Sequence, residues 1–227
     1  MRIMLFVDLE NFRQSIWNID RRREPKYSNF HYFLIDRLVK KFNWEKHNPR
    51  FIRCYIYTGE YTDSVIHSIK HFADLNQQKY GTILNTHISR KEAQEKLFEH
   101  LVGCPFVEIK TTPLKFSGGK SVYQKGVDVL LAVDLVYHSA QDHFDLAIVC
   151  SGDLDLLESI KLVKNMGKEV IIISNTPELS KNIKKVGDSY FGLSELTLTE
   201  LDEVSEIVPS KIQLSSQKPS SAAVPPS

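Results

Sequence analysis

Acidic side chains stand at three places in this sequence where a hard cation or a reacting phosphate could be met. Asp8 closes the apolar run Ile3-Met4-Leu5-Phe6-Val7, and Glu10 and Asn11 follow at once. Asp153 and Asp155 lie in Ser151-Gly152-Asp153-Leu154-Asp155, straight after a second run, Leu146-Ala147-Ile148-Val149-Cys150. Asp128 stands in Lys125-Gly126-Val127-Asp128, where a largely uncharged stretch begins. A carboxylate at the end of a buried run needs a partner, because an isolated charge is costly to remove from water. Carboxylates gathered together repel and raise one another's pKa, a difficulty that a divalent cation removes. Oxygen donors suit magnesium or manganese (Mg2+ or Mn2+), and magnesium keeps waters that substrate phosphates can replace. Such ions activate water and stabilise the leaving oxygen in phosphodiester cleavage.

Whether these residues meet depends on the elements that carry them. Continuous apolar runs such as Ile3–Val7, Leu146–Cys150 and Val170–Ser174 fit parallel strands buried on both faces. Phe51–Tyr57 alternates and reads as a further strand, Phe106–Lys110 and Leu114–Phe116 as short ones, and Phe191–Leu193 as an edge strand. Between them helical spacing predicts helices over Phe30–Phe42, Ser64–Gln78, Arg90–Val102 and Gly126–His138, another ending near Met166, and a last one over Leu179–Val186. In the Gly126–His138 helix, Val129, Ala132, Val133 and Val136 are the expected core face; in Ser64–Gln78 it is Val65, Ile69, Phe72 and Leu75. Strands alternating with helices in this way predict an α/β fold, a three-layer sandwich on a mostly parallel central sheet. Ligand sites in such sheets form beyond the carboxyl ends of the strands, where both acidic clusters fall. If the strands ending at Asp8 and Cys150 are neighbours, three or four carboxyl groups share one cleft. One domain is expected over residues 1–200, followed by a Ser/Pro-rich tail over 201–227 with little to bury.

The bulk properties narrow the field. A formal net charge of +1 over 227 residues offers no overall cationic field, so nucleic acid would be bound by local patches. Cys54, Cys104 and Cys150 are odd in number and far apart, which favours free thiols in a reducing compartment and excludes a paired-cysteine zinc site. The opening run is too short for a signal peptide and no apolar stretch is long enough to span a bilayer, so a cytoplasmic protein without membrane contact is expected. No P-loop, G-x-G-x-x-G turn or nucleophile elbow is present.

Each acidic residue also has a plainer role. Asp128 suits the first turn of a helix through the macrodipole. Asn11 or Asp155 would serve as helix N-caps, and Glu10 as a solvated neighbour. Asp134 lies six residues beyond Asp128, roughly 120° round the helix, and is expected to be structural. The basic run Arg21–Lys26 reads as a loop or lid. Lys115, Lys120 and Lys125 precede Asp128 and are the better candidates for steering a phosphate backbone.

Three segments in order, Phe6-Val7-Asp8-Leu9-Glu10-Asn11, then Lys125-Gly126-Val127-Asp128 with Leu131-Ala132-Val133-Asp134-Leu135, then Ser151-Gly152-Asp153-Leu154-Asp155-Leu156, resemble the NYN domain, a group of PIN-like nuclease domains. The similarity runs over roughly Met1–Leu193, and Gly187-Asp188-Ser189-Tyr190 looks like the family's closing segment. The resemblance implies a PIN-like fold and a metal-dependent ribonuclease acting on RNA, single-stranded by expectation. It implies Asp8, Asp128, Asp153 and Asp155 as ligands of Mg2+ or Mn2+, and Asn11 as the residue that orients Asp8 or a water. Leu9 and Glu10 depart from the small residues that many relatives carry there, which narrows the expected entrance. Tyr57, Tyr61 and Tyr123 are candidates for stacking a base. Two other readings stand beside this one. The domain could bind RNA or a protein partner through an inert PIN-like cleft without cleaving anything; a homo-oligomer is a separate expectation. A haloacid-dehalogenase-type phosphatase would also place acids after its first strand, although Glu10 and Asn11 depart from its opening motif.

Overall fold

The computed structural model describes residues 1–75, 81–117, 122–175 and 185–208. Ten strands and seven helices alternate along them. The strands are β1 (Arg2–Asp8), β2 (Arg23–Pro25), β3 (Arg50–Glu60), β4 (Val107–Pro113), β5 (Lys115–Phe116), β6 (Val122–Tyr123), β7 (Leu146–Cys150), β8 (Glu169–Ser174), β9 (Ser189–Gly192) and β10 (Ser205–Ile207). The helices are α1 (Leu9–Trp17), α2 (Phe30–Lys41), α3 (Asp63–Leu75), α4 (Gly81–Val102), α5 (Val127–Ala140), α6 (Leu157–Asn165) and α7 (Leu198–Val204). Six strands form the central sheet in the order β4-β3-β1-β7-β8-β9. Every pairing in it is parallel. The expected α/β sandwich is therefore the fold, with the sheet parallel throughout.

Pleating divides the core. Ile3, Leu5 and Val7 of β1 join Cys54 and Ile56 of β3 beneath α1, α2 and α7, where Phe12, Ile16, Phe30, Leu34, Leu38 and Val204 are buried. Met4 and Phe6 face the other way with Tyr55, Tyr57, Ala147 and Val149, beneath α5 and α6 through Leu131, Leu135, Ile160 and Val163. Successive side chains of a strand alternate between faces, so Asp8 shares the parity of Met4 and Phe6. Two glycines shape the approach to the carboxyl ends. A Cβ on Gly59 would lie 2.4 Å from Leu114 Cδ2, so a side chain there would push the segment after β4 away from β3. Gly126 enters α5 at φ +83°, a conformation most side chains resist.

Several expectations need correction. The segment Arg21–Lys26 is not a lid, and only its ends are turn or loop. Arg23–Pro25 is strand β2, paired antiparallel with β10. Its charges are engaged: Arg22 with Asp20 at 2.9 Å, and Arg23, only 5% exposed, with Asp202 at 2.6 Å. Residues 201–208, assigned to the tail, belong to α7 and β10, while 209–227 lie outside the described residues. Helix α4 starts at Gly81 rather than Arg90. Its first turns are rich in Gly, Thr and Asn, weak helix formers that hide it from a propensity reading. The buried stripe of α5 is Val127, Leu131, Leu135 and His138, so Val129 and Val133 lie outside the core. On α3 the core residues are Val65, Ile69 and Ala73, while Leu75 is exposed. The expected helix over 179–186 falls on undescribed residues, except for 185 and 186.

Candidate active site

In an open parallel sheet, the ligand crevice lies where strand order reverses. Here β1 is flanked by β3 on one side and β7 on the other, so the reversal falls between β1 and β7. The residues that end these two strands are Asp8 and the Ser151–Asp155 segment, which the strand pairing brings side by side.

Asp8 is 2% exposed. It keeps extended backbone and is itself the N-cap of α1. One carboxylate oxygen accepts the Asn11 backbone N–H at 3.1 Å, and the other accepts the Asn11 side-chain amide at 2.7 Å. Asn11 is thus not the cap but the residue that clasps it. The reason is local: α1 begins at Leu9 with no intervening turn, so the last strand residue must satisfy the first free N–H groups. Burial pushes the Asp8 carboxyl up from 3.8 to about 6; the two Asn11 bonds oppose the rise, and the charges of Asp153 and Glu10 add to it. Asn11→Ala removes one of the opposing bonds. The Asp8 pKa is then expected to rise above 6, followed as a shift of its carboxyl carbon resonance with pH; an unchanged or lower value would contradict the clasp.

Asp153 caps the short 3-10 turn Leu154–Leu156, accepting the Asp155 N–H at 3.0 Å, and its own N–H donates to the Ser151 hydroxyl at 3.2 Å. Here too the cap lies earlier than expected, at Asp153 rather than at Asp155 two residues on. Asp155 is exposed. It lines a groove of about 810 Å³ between α5 and α6 together with Asp128 and Glu158. Asp128 is half-buried in the first turn of α5. The charge of Asp153 acts on Asp8, and Asp128 and Asp155 both line the groove between α5 and α6. Among the described residues, no three His, Cys, Asp or Glu side chains stand close enough to hold one ion. A magnesium site does not require three, since one or two carboxylates with waters and substrate phosphates complete its shell. Asp8 and Asp153 fit that ion in donor type. A buried carboxyl that resists ionisation beside a second negative charge is also the environment a cation relieves.

The surroundings sort the remaining candidates. Asp134 accepts from the Tyr57 hydroxyl at 3.1 Å and lies 3.5 Å from the Lys110 ammonium, a structural role as expected. Tyr57 is fully buried by this, so it cannot stack a base. Tyr61 donates to or accepts from His87 at 3.0 Å, and Tyr123 is exposed. Glu10 is exposed and lies 3.7 Å from Arg13, outside the carboxylate pair that a phosphatase motif would require. Asp188 belongs to the far end of the sheet, where it accepts the Val170 N–H at 2.8 Å and pairs with Lys164 at 2.9 Å. Lys115 and Lys125 are exposed, and Lys120 lies outside the described residues. The Tyr57–Asp134–Lys110 cluster escaped the sequence reading, because its members come from three elements with no common motif.

The six-stranded all-parallel sheet flanked by helices is an α/β sandwich consistent with a PIN-like domain of nuclease type. The model of the NYN domain matches residues 2–194, and the chain belongs to that family. No curated protein matches the chain. Among solved structures it is similar to the nicotinamidase SaPncA from Staphylococcus aureus, at 13% identity over 83% of this chain and 97% of that one, with a TM-score of 0.31. At that score the likeness bears on neither fold nor function. No helix among the described residues is long and apolar enough to cross a membrane.

Proposed function

We propose that this chain is a metal-dependent endoribonuclease acting on single-stranded RNA, with its centre at the carboxyl ends of β1 and β7. The observation that carries this reading is Asp8, a buried carboxyl raised to about 6 and set near the charge of Asp153 at the reversal of strand order. Asp8 and Asp153 would hold Mg2+ or Mn2+, with Asp128 and Asp155 at the mouth of the cleft. Such an ion supplies positive charge for a phosphoryl oxygen and lowers the pKa of water.

The protein's own contribution is positioning. Asn11 fixes both oxygens of Asp8, so the carboxylate meets its ligand without loss of side-chain freedom. Asp153 is held by its capping bond to Asp155 and by the Ser151 hydroxyl. Lys125, exposed at the turn into α5, can meet a phosphate beside Asp128. A single strand is favoured because its backbone can enter a cleft at the carboxyl ends of the strands without first unpairing.

The test is incubation of the purified chain with end-labelled single-stranded RNA and Mn2+, beside Asp153→Asn. Cleavage is expected to fall by at least about 100-fold in the variant. Manganese binding, followed by the electron paramagnetic resonance of the free ion, should weaken by about tenfold or more. RNA binding without cleavage in any divalent ion would favour the non-catalytic reading. Cleavage unaffected by Asp153→Asn would remove the centre from this cleft.

A further inference from the structure

Strands β5 and β6 form a two-stranded antiparallel ribbon outside the central sheet. Residues paired across such a ribbon share a face, and successive residues alternate. Phe116 is paired with Val122, both half-buried, and the Phe116 ring stands edge-on to Phe72 of α3 at 5.5 Å between centroids. Lys115 is paired with Tyr123 on the other face, and both are exposed, Tyr123 by 46%. Lys125, two residues past the tyrosine, is exposed as well. The outer face thus carries an aromatic ring with an ammonium on either side. Gly59 fixes where this ribbon stands. The register partner of Asp8 in β3 is Tyr57, and Gly59 lies two residues further on. Strand spacing and rise put it on the order of 8 Å from Asp8. Leu114 and Gln124, at the two feet of the ribbon, pack onto its bare backbone, and a Cβ there would meet Gln124 Cβ at 2.9 Å.

We propose that the outer face of the β5–β6 ribbon is a stacking platform for the RNA strand beside the cleft, with one base on Tyr123 and the adjoining phosphates on Lys115 and Lys125. The inference rests on the nuclease reading for the identity of the strand, and not on its metal. A nucleotide joins a flat ring to an anion, and this face offers a ring between two cations. Every base has a π-face, so the platform holds a strand without choosing its sequence. The charges are available. Among the described residues Lys115 and Lys125 enter no ion pair, whereas Lys110 of β4 is engaged by Asp134. Glu60, at the end of β3, is held by the Thr111 hydroxyl at 2.7 Å. A chain of net charge +1 must attract a polyanion through a local patch of this kind. The other tyrosines near these strand ends are occupied: Tyr57 is buried and Tyr61 hydrogen-bonds to His87.

The experiment is binding of a fluorescein-labelled oligouridine of about 12 nucleotides to the full chain, followed by anisotropy in EDTA so that nothing is cleaved. Tyr123→Ala and Tyr123→Leu are both expected to weaken binding about 5- to 100-fold, and Tyr123→Phe to stay within about twofold of the native chain. Leucine keeps apolar bulk on the ribbon and removes only the ring, so loss with leucine and recovery with phenylalanine separate stacking from packing. Lys115→Ala should lower the slope of log Kd against log salt by about 0.7 between about 50 and 200 mM. The control is Tyr32→Ala, at a tyrosine 41% exposed beside Phe51 at the amino end of β3, which should bind as the native chain does. Native affinity in Tyr123→Leu would overturn the platform and leave the nuclease reading intact, as would equal losses in Tyr123→Phe and Tyr123→Ala. The expected pattern of binding without cleavage in Mn2+ would uphold the platform and remove the nuclease reading. A native chain that binds no oligouridine would also overturn the platform, and the Mn2+ assay with Asp153→Asn would then judge the nuclease reading by itself.

Discussion

Asp8→Asn is expected to abolish cleavage and yet to make the metal-free fold more stable at pH 8, by about 1–3 kcal/mol. The sign follows from the direction of the shift. Burial raises the Asp8 carboxyl from 3.8 to about 6, so between those values the folded chain holds a proton that the unfolded chain has released. Stability therefore falls as pH rises through that window. The penalty is absent below about 3.8 and complete above about 6, opposite to the behaviour of a salt-bridged aspartate. Asparagine has the same shape without the charge. Its carbonyl can accept the Asn11 N–H, and the Asn11 amide can turn its oxygen to the new NH2 group. Urea unfolding of both proteins at pH 4, 6 and 8 should give midpoints that converge in acid and separate in base. Parallel profiles would mean that the Asp8 charge is already compensated in the fold. Added Mn2+ at pH 7.5 should stabilise the native chain by about 1–3 kcal/mol at 10–100 times the dissociation constant and leave Asp8→Asn unmoved.

The same residue shows how far the sequence could be read. Asp8 and Asp153 were legible because one ends a continuous apolar run and the other follows one closely, and such runs become neighbouring parallel strands when both faces must be covered. What the run could not show was how Asp8 is held. In Asp8-Leu9-Glu10-Asn11 both ends are good caps, and the choice turns on where the helix begins, which strand pairing decides. Helix α5 was legible as a helix but not in its orientation. Val129 and Val133 repeat at the same spacing as Leu131 and Leu135, so periodicity names two faces and packing selects one. The β2–β10 ribbon left least trace, since each strand is three residues long, carries charge, and pairs with a partner some 180 positions away.

That ribbon carries the second large effect. A chain ending at residue 200, where composition sets the domain boundary, is expected to lose at least about 4 kcal/mol, a large part of the stability of an ordinary domain. Truncation there removes Leu201 and Val204, 2% and 0% exposed, each contributing about 2 kcal/mol through burial against α2 and its neighbours. It also removes Asp202 and Ser205, which hold the Arg23 guanidinium at 2.6 and 3.2 Å. Arg23 is 5% exposed, and breaking a buried pair from one side costs more than deleting the pair, because the remaining charge stays out of water. A chain ending at residue 208 keeps every one of these contacts and should unfold within about 0.5 kcal/mol of the full sequence. Comparing the urea midpoints of the two truncations tests this directly. Equal midpoints would show that α7 and β10 rest on the fold without supporting it. If Arg23→Met restores part of the loss in the shorter chain, the stranded charge rather than lost packing accounts for that part.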